Sequence, residues 1–181
     1  MGPVKEADPQ VLERAGRVLI VLMDVDGVLT DGRLFMGSNG YDGRSFHVRD
    51  GQGIRLGQRA GLLFGIISGR ESKVVSERAA ELYITEVHQG VYDKRECLQG
   101  ILERLTLTPE QACFVGDDLV DISVMNAVGF AAAPSDAAVE VRDTAQYVTE
   151  SPGGCGAVRE VVDLVLRATD KYEQVTERFL R

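Results

Sequence analysis

The sequence predicts an α/β fold, a Rossmann-like, doubly wound parallel sheet. Three observations predict it. Short apolar runs recur along the chain, and their apolar residues are continuous rather than alternating, as in strands that are buried on both faces. Amphipathic helical stretches lie between the runs, which is the order of a βαβ fold. The length of 181 residues fits one domain, from residue 1 to residue 181.

The predicted strands follow from the apolar runs. The first, RVLIVLM, is the longest, and the weakest is the short third run. The six predicted strands are Arg17–Met23, Leu62–Ile67, Ile84–Val87, Ala112–Val115, Phe130–Ala133 and Tyr147–Thr149.

The predicted helices follow from apolar residues at helical spacing. One spans Glu71–Leu82 and another Asp93–Leu105, and the last long helix carries a stripe of Val158, Val161, Val162, Val165 and Leu166. Residues 108–111 read as a capping box with proline at the first helical position. Beyond the last helix we expect a polar tail over residues 169–181.

One stretch, from about residue 30 to residue 50, departs from this alternation. It contains four glycines, and the sequence Ser-Asn-Gly separates two alternating runs, which is typical of a β-hairpin. Because this insertion directly follows the first strand, we expect the hairpin to overhang the end of that strand.

Composition excludes several classes of protein. Lys and Arg total 20 and Asp and Glu total 28, a net charge of −8, so neither nucleic acid nor an anionic membrane surface is an expected partner. The three cysteines, Cys97, Cys113 and Cys155, form no CxxC pair, so neither a disulfide framework nor a zinc site is expected. No apolar stretch is long enough to span a bilayer, and free thiols fit the cytoplasm.

Polar residues follow four of the predicted strands. Asp24 and Asp26 follow the first, Ser68 and Gly69 the second, Lys94 the third, and Asp117, Asp118 and Asp121 the fourth. Each residue alone has an ordinary explanation as a helix cap or turn. Because the carboxyl ends of parallel strands meet at one edge, however, the acidic groups should converge there. Converging carboxylates favour a hard divalent cation, and Mg²⁺ is the usual one beside phosphate.

The segments DVDGVLT, SGR, the single Lys94 and GDDLVD occur in the order of the four motifs of the haloacid dehalogenase superfamily, and the chain is identified as resembling its phosphatases. The resemblance implies that Asp24 is the nucleophile and that Asp26 is the general acid and base. It also implies that Ser68 and Lys94 bind the phosphoryl group, together with the backbone N–H of Gly69.

The same resemblance implies a Mg²⁺ ion held by Asp24, the backbone carbonyl of Asp26, and Asp117. Asp121 is expected to orient either Lys94 or a water on the metal, and Asp118 is the weaker candidate for both roles.

Two further segments, FHVRDGQGIR and PGGCGAVREVVDLVL, resemble a narrower branch, the 3-deoxy-D-manno-octulosonate (KDO) 8-phosphate phosphatases. This implies a small sugar-acid phosphate as substrate, in lipopolysaccharide precursor synthesis. The substrate's carboxylate makes Arg49 and Arg159 candidate binding residues. His47 stands where that branch often has Asn. The alternatives are hydrolysis of the nine-carbon KDN 9-phosphate, a broader sugar-phosphate phosphatase, and a non-catalytic oligomerisation module.

Many members of the superfamily carry a cap domain that closes the site. Here 44 positions separate Asp24 from Ser68, enough for the hairpin and one helix, and 23 separate Lys94 from Asp117. We therefore expect no cap domain (the C0 type). A homotetramer like that of the family, with each site partly covered by a neighbour and the tail as a lid, is expected instead.

Overall fold

A computed structural model of the protein describes residues 8–37 and 42–180, without the side chain of Leu180. A parallel six-stranded sheet forms its centre, in the order β5-β4-β1-β6-β7-β8, and a two-stranded antiparallel hairpin, β2-β3, lies beside it. The strands are β1 (Ile20–Met23), β2 (Phe35–Met36), β3 (Asp42–Gly43), β4 (Leu63–Ile67), β5 (Glu86–His88), β6 (Ala112–Val115), β7 (Phe130–Ala133) and β8 (Tyr147–Val148).

Helices cover both faces of this sheet, as the doubly wound prediction requires. They are α1 (Pro9–Ala15), α2 (Val48–Arg59), α3 (Lys73–Glu81), α4 (Lys94–Leu105), α5 (Ile122–Met125), α6 (Val139–Thr144), α7 (Ala157–Ala168) and α8 (Tyr172–Leu180). The stripe of α7 packs with Val21 and Met23 on one face, whereas α4 packs with Ile20 and Leu22 on the other. The continuous apolar run of β1 is thus explained by burial on both sides.

Strand pairing places the polar residues that follow β1, β4 and β6 at one edge. Met23 is level with Ile66 on β4 and with Val115 on β6. The segments that begin at Asp24, Ser68 and Gly116 therefore leave the sheet side by side. This register is the reason why residues far apart in sequence come together.

The predicted elements are largely confirmed, with differences at their ends. Strands β6 and β7 have the predicted bounds, and β1 is shorter because only residues 20–23 pair with both neighbours. The capping box at residues 108–111 is present, but it begins a short 3-10 turn. The hairpin pairs residues 35–36 with residues 42–43, and its Ser-Asn-Gly turn lies outside the described residues.

The absence of a cap domain is confirmed for residues 8–37 and 42–180. The chain between Asp24 and Ser68 is taken up by the hairpin and α2, and the chain between Lys94 and Asp117 by α4, a 3-10 turn and β6. None of the helices in these ranges has the length and apolar character needed to cross a membrane.

The C-terminal segment, expected from the sequence as a polar tail, is largely helical, and its role as a lid stays a prediction. Residues 172–180 form α8, with Val175 and Thr176 buried. Lys171 Nζ donates to the carbonyl of Ala60, and the guanidinium of Arg167 lies 3.8 Å from the centre of the Tyr172 ring. Because the apolar residues of this segment recur at helical spacing, the segment packs on its own chain.

The loop before α7 supports the loop that follows β1. Gly154 N donates to the carbonyl of Val28, and a Cβ atom at Gly153 would lie 1.8 Å from the carbonyl oxygen of Gly27. Gly153 and Gly154 therefore pack closely against the loop that carries Asp24 and Asp26.

We expect Gly153→Ala to lower the free energy of unfolding, by about 1–3 kcal/mol, because backbone must move to admit the methyl group. Gly100→Ala is the matched control. Gly100 is an exposed position of α4, and a Cβ atom there would meet no neighbouring atom within 4 Å. Alanine is also the better helix former. Urea unfolding of both variants checks this. A Gly153→Ala variant as stable as Gly100→Ala would contradict the packing role.

Candidate active site

Three buried or half-buried carboxylates converge at the carboxyl edge of the sheet. Asp24 follows β1, Asp117 follows β6, and Asp121 lies in the 3-10 turn at residues 119–121. One carboxylate oxygen from each lies within 4.8 Å of the others. The convergence expected from the sequence is therefore present.

Lys94 is the counter-charge of this cluster. Its side chain is only 4% exposed, and Nζ lies 3.1 Å from Asp24 Oδ1 and 2.6 Å from Asp121 Oδ1. Burial alone would lower the pKa of Lys94, but the charges of the two carboxylates outweigh it and raise the pKa. A charged ammonium group is thereby held directly beside Asp24.

Asp121 orients Lys94. It is fully buried, and its Oδ1 accepts the hydrogen bond from Lys94 Nζ while its Oδ2 accepts from the backbone N–H groups of Asp117 and Asp118, at 3.0 and 3.4 Å. Both carboxylate oxygens of Asp121 are thus occupied. This favours the role of orienting Lys94 over the role of orienting a water on the metal. Asp118 is exposed and accepts from the N–H of Leu119.

Asp24 and Asp117 have the properties of cation ligands. Asp117 Oδ1 is buried and accepts no hydrogen bond from any described residue, whereas Asp24 Oδ1 is buried beside the ammonium group of Lys94. Burial raises the pKa of Asp24 to about 6, although Lys94 opposes the shift. Burial, reinforced by Asp24 and Asp121, raises the pKa of Asp117 to about 8. A divalent cation between these oxygens would satisfy them and relieve the repulsion, so the residues fit such an ion.

Gly27 allows this approach. Its φ is +98°, and a Cβ there would lie 2.0 Å from Asp117 Oδ2. Any larger residue would push Asp117 away from Asp24. The glycine of the DVDG segment is therefore required both by its backbone conformation and by the space that the carboxylate occupies.

Ser68 lies at the same edge, at the end of β4. It is 3% exposed, and its backbone bonds to His88 and Val91 fix the turn. Ser68 Oγ accepts from the N–H of Arg70 at 3.4 Å, and Gly69 is exposed. A hydroxyl and an exposed backbone segment thus lie at the same edge of the sheet as Asp24, on the neighbouring strand end.

Asp26 points to a different set of partners, which the sequence did not reveal. Arg44 of the hairpin donates from Nε to Asp26 Oδ1 at 2.7 Å and from Nη2 to Oδ2 at 3.3 Å. Arg70 Nε lies 3.7 Å from Oδ2. The sequence predicted that the hairpin overhangs the end of this strand. Charge complementarity to the acidic edge could have pointed to the arginines of the hairpin, but it could not have identified Arg44 among them.

The two arginines proposed for substrate binding have different surroundings. Arg49 is exposed near the start of α2, just beyond His47, whose Nδ1 caps the helix by accepting from the N–H of Arg49. Arg159 is not brought to the acidic cluster, because its Nε pairs with Asp163 one turn along α7, at 2.8 Å.

The Arg-Asp-Gly segment has a structural role that sequence reasoning missed. Asp50 is 1% exposed and accepts from the N–H groups of Gly156 and Arg159, so it caps the start of α7 from α2. A Cβ at Gly51 would lie 2.4 Å from Arg78 Nη2. The segment therefore joins helices, and only its Arg49 faces solvent.

The arrangement has the parts for phosphoryl transfer through a carboxylate. It joins a buried carboxylate that can act as a nucleophile, an ammonium group and a hydroxyl that can bind an anion, and carboxylate oxygens that can ligate a divalent cation. A second carboxylate, Asp26, has 18% of its side chain exposed.

Comparisons with known proteins agree with this chemistry. The family model of the haloacid dehalogenase-like hydrolases matches residues 63–161. The KDO 8-phosphate phosphatase KdsC of Salmonella typhimurium is 43% identical over 173 residues, which cover 96% of this chain and 90% of that protein.

Solved structures are similar over nearly the whole chain. The KDO 8-phosphate phosphatase of Yersinia pestis has a TM-score of 0.90 and 43% identity, covering 91% of this chain and 89% of that one. The enzyme of Moraxella catarrhalis, solved with magnesium, phosphate and KDO, has a TM-score of 0.92 and 34% identity, covering 94% and 98%.

In protein freed of metal by a chelator, we expect the free energy of unfolding to fall as pH rises towards about 8. The pKa of Asp117 is about 8 in the folded chain, above its ordinary value of 3.8. Folding therefore favours the protonated form, and this stability is complete at low pH and is lost as pH rises through the folded pKa. Urea unfolding between pH 5 and pH 9 measures it.

Asp117→Asn should reduce the slope between pH 5 and pH 8, because the amide stays neutral. Asp118→Asn, at an exposed neighbour that adds only a smaller part of the Asp117 shift, is the matched control and should keep most of the slope. A saturating divalent cation should oppose the fall in the unaltered protein. An unchanged slope in Asp117→Asn would refute the assignment.

Proposed function

Because the chain belongs to the haloacid dehalogenase-like hydrolases, and within them to the KDO 8-phosphate phosphatases, we propose that it hydrolyses KDO 8-phosphate to KDO and inorganic phosphate. The observation that carries the proposal is the buried ion pair between Asp24 and Lys94. Asp26 follows Asp24 by two residues, and its side chain is more exposed. The product is an acidic eight-carbon sugar used in lipopolysaccharide precursor synthesis.

Asp24 is the nucleophile in this proposal. Its carboxylate attacks phosphorus, the bond from phosphorus to the sugar oxygen breaks, and an aspartyl-phosphate forms. Lys94 keeps Asp24 ionised and adds positive charge next to the developing negative charge, while Asp121 keeps Lys94 in place. Ser68 and the N–H of Gly69 bind the oxygens of the phosphoryl group.

Asp26 is the acid and base. It gives its proton to the sugar oxygen as that oxygen leaves, and then accepts a proton from the water that attacks the aspartyl-phosphate. One residue serves both steps because sugar and water occupy the same side of the phosphoryl group in turn.

Mg²⁺ is the proposed cofactor, held by Asp24, Asp117 and the backbone carbonyl of Asp26. When bound, it neutralises the repulsion between the carboxylate nucleophile and the phosphate dianion. The converging carboxylates of Asp24 and Asp117, and the Asp117 oxygen without a hydrogen bond from any described residue, support these ligands, and the Moraxella catarrhalis relative was solved with magnesium.

The test is phosphate release from a panel of sugar phosphates with Mg²⁺, including KDO 8-phosphate and KDN 9-phosphate. We expect turnover of the eight-carbon substrate, its loss on chelation and its return with Mg²⁺. Asp24→Asn should lower kcat by about 10³-fold or more, because the amide keeps the shape of the carboxylate and is not a nucleophile. Turnover by Asp24→Asn within about tenfold of the unaltered enzyme would refute the covalent mechanism.

We propose that Arg49 binds the carboxylate of the sugar acid. The residue is exposed, its side chain makes no ion pair with a described residue, and it follows the hairpin. Arg159 is the weaker candidate because Asp163 already occupies its guanidinium. Arg49→Ala should raise KM for KDO 8-phosphate about tenfold or more, since a charged hydrogen bond is lost, and leave KM for a small aryl phosphate unchanged. Equal effects on both substrates would contradict a binding role.

We propose a homotetramer in which neighbouring copies partly cover each site. Phe35 and Met36 of the hairpin are 54% and 84% exposed, and a short hairpin with apolar residues in solvent favours pairing with another copy. Light scattering should give four chains. Phe35→Ser with Met36→Ser should shift the size distribution to smaller species, whereas Tyr83→Ser, at an exposed site away from the hairpin, should not. A fully active monomer at assay concentration would refute the proposal.

A further inference from the structure

Arg44 is the one hairpin side chain, among the described residues, that hydrogen-bonds a proposed catalytic group. It donates to both oxygens of Asp26, at 2.7 and 3.3 Å, in the two-pronged geometry that guanidinium groups adopt with carboxylates. Its side chain is 3% exposed. This is a buried, directed contact rather than a surface ion pair.

The rest of the guanidinium is held by residues outside the acidic cluster. Nη1 donates to Ser72 Oγ at 2.8 Å and also to Asp42 on β3. Ser72 is the N-cap of α3. Arg44 thus joins the loop after β1, the hairpin and the start of α3, and the two residues that hold its Nη1 group, Asp42 and Ser72, are not proposed metal ligands.

Asp26 depends on this contact for its orientation. Among the described residues, its carboxylate has hydrogen bonds only from Arg44, and Arg70 is a weaker neighbour at 3.7 Å with 63% of its side chain exposed. Asp24 and Asp121, by contrast, are held by Lys94. Without Arg44, the Asp26 side chain would rotate among its rotamers.

We propose that Arg44 is a positioning residue for the hydrolysis: it holds the Asp26 carboxyl group on the leaving-group side, in line with the sugar oxygen. The inference rests on the proposed role of Asp26 as the acid. Asp42 is a second anion on the same guanidinium, so Arg44 remains paired and in place when Asp26 carries its proton.

The consequence is a dependence on the leaving group. A sugar alkoxide needs the proton of Asp26 to leave, whereas para-nitrophenolate leaves without one. Misplacing Asp26 should therefore slow hydrolysis of the sugar phosphate and spare the aryl phosphate. A merely structural Arg44 would affect both substrates alike, because both use the same nucleophile, Asp24.

The experiment measures kcat and KM of Arg44→Met and Arg44→Lys on KDO 8-phosphate and on para-nitrophenyl phosphate, with Mg²⁺. For Arg44→Met we expect kcat on the sugar phosphate to fall about 100-fold, the lower end of what acid–base catalysis supplies, with KM nearly unchanged. Its kcat on the aryl phosphate should fall less than about fivefold. Arg44→Lys, which keeps a cation, should recover part of the loss.

Arg33→Met is the matched control, since Arg33 is a hairpin arginine with 82% of its side chain exposed and its only ion pair, among the described residues, is with Asp31. It should change neither substrate. If Arg44→Met unfolds, Arg44→Ala with added guanidinium ion gives a second measurement, and recovery selective for the sugar phosphate is expected.

Equal losses on the two substrates, or no loss on either, would overturn the role of Arg44 and leave the phosphatase function standing. Failure of the unaltered enzyme to hydrolyse the sugar phosphate, with or without turnover of the aryl phosphate, would instead overturn the proposed function, and the inference with it.

Discussion

The structure depends above all on holding three carboxylate groups close together at a largely buried site. Asp24, Asp117 and Asp121 bring their oxygens within 4.8 Å of one another, and burial raises the pKa of Asp24 and of Asp117. Lys94 balances Asp24 and Asp121, whereas Asp117 Oδ1 accepts no hydrogen bond from any described residue and remains for a cation. An uncompensated cluster of this kind would destabilise the fold, and the groups that offset its repulsion are the same ones that the proposed function uses to bind a phosphate dianion.

The scaffold around this cluster is rigid for the same reason. The parallel register brings three strand ends level, and the glycine loop before α7 presses on the segment that carries the acidic residues. Asp50 caps α7 from α2 and so ties the helix behind that loop to the one that follows the hairpin. Small displacements at this edge would separate the carboxylate oxygens of the acidic cluster, and the cation site depends on their closeness.

The hairpin contributes one described side chain, Arg44, to the open side of the site. Its Arg44 reaches Asp26, while Phe35 and Met36 remain exposed on its outer part. The same short insertion therefore carries a contact to the acid and base and an apolar surface suited to a second copy. A substitution that alters the apolar surface is expected to affect the contact with Asp26 as well, because only a few residues separate Met36 from Arg44.

The sequence alone determined which strands are followed by the polar residues of the site, and it determined most of the core. The run of β1, the bounds of β6 and β7, and the acidic residues after β1 and β6 follow from burial on both faces and from the meeting of parallel strands at one edge. Only the tertiary structure decided the partners. That Asp121 accepts a hydrogen bond from Lys94, and that Arg44 rather than Arg33 holds Asp26, depend on contacts between distant segments. Local spacing carries no record of such contacts, because side-chain pairing is set by the packing of whole elements.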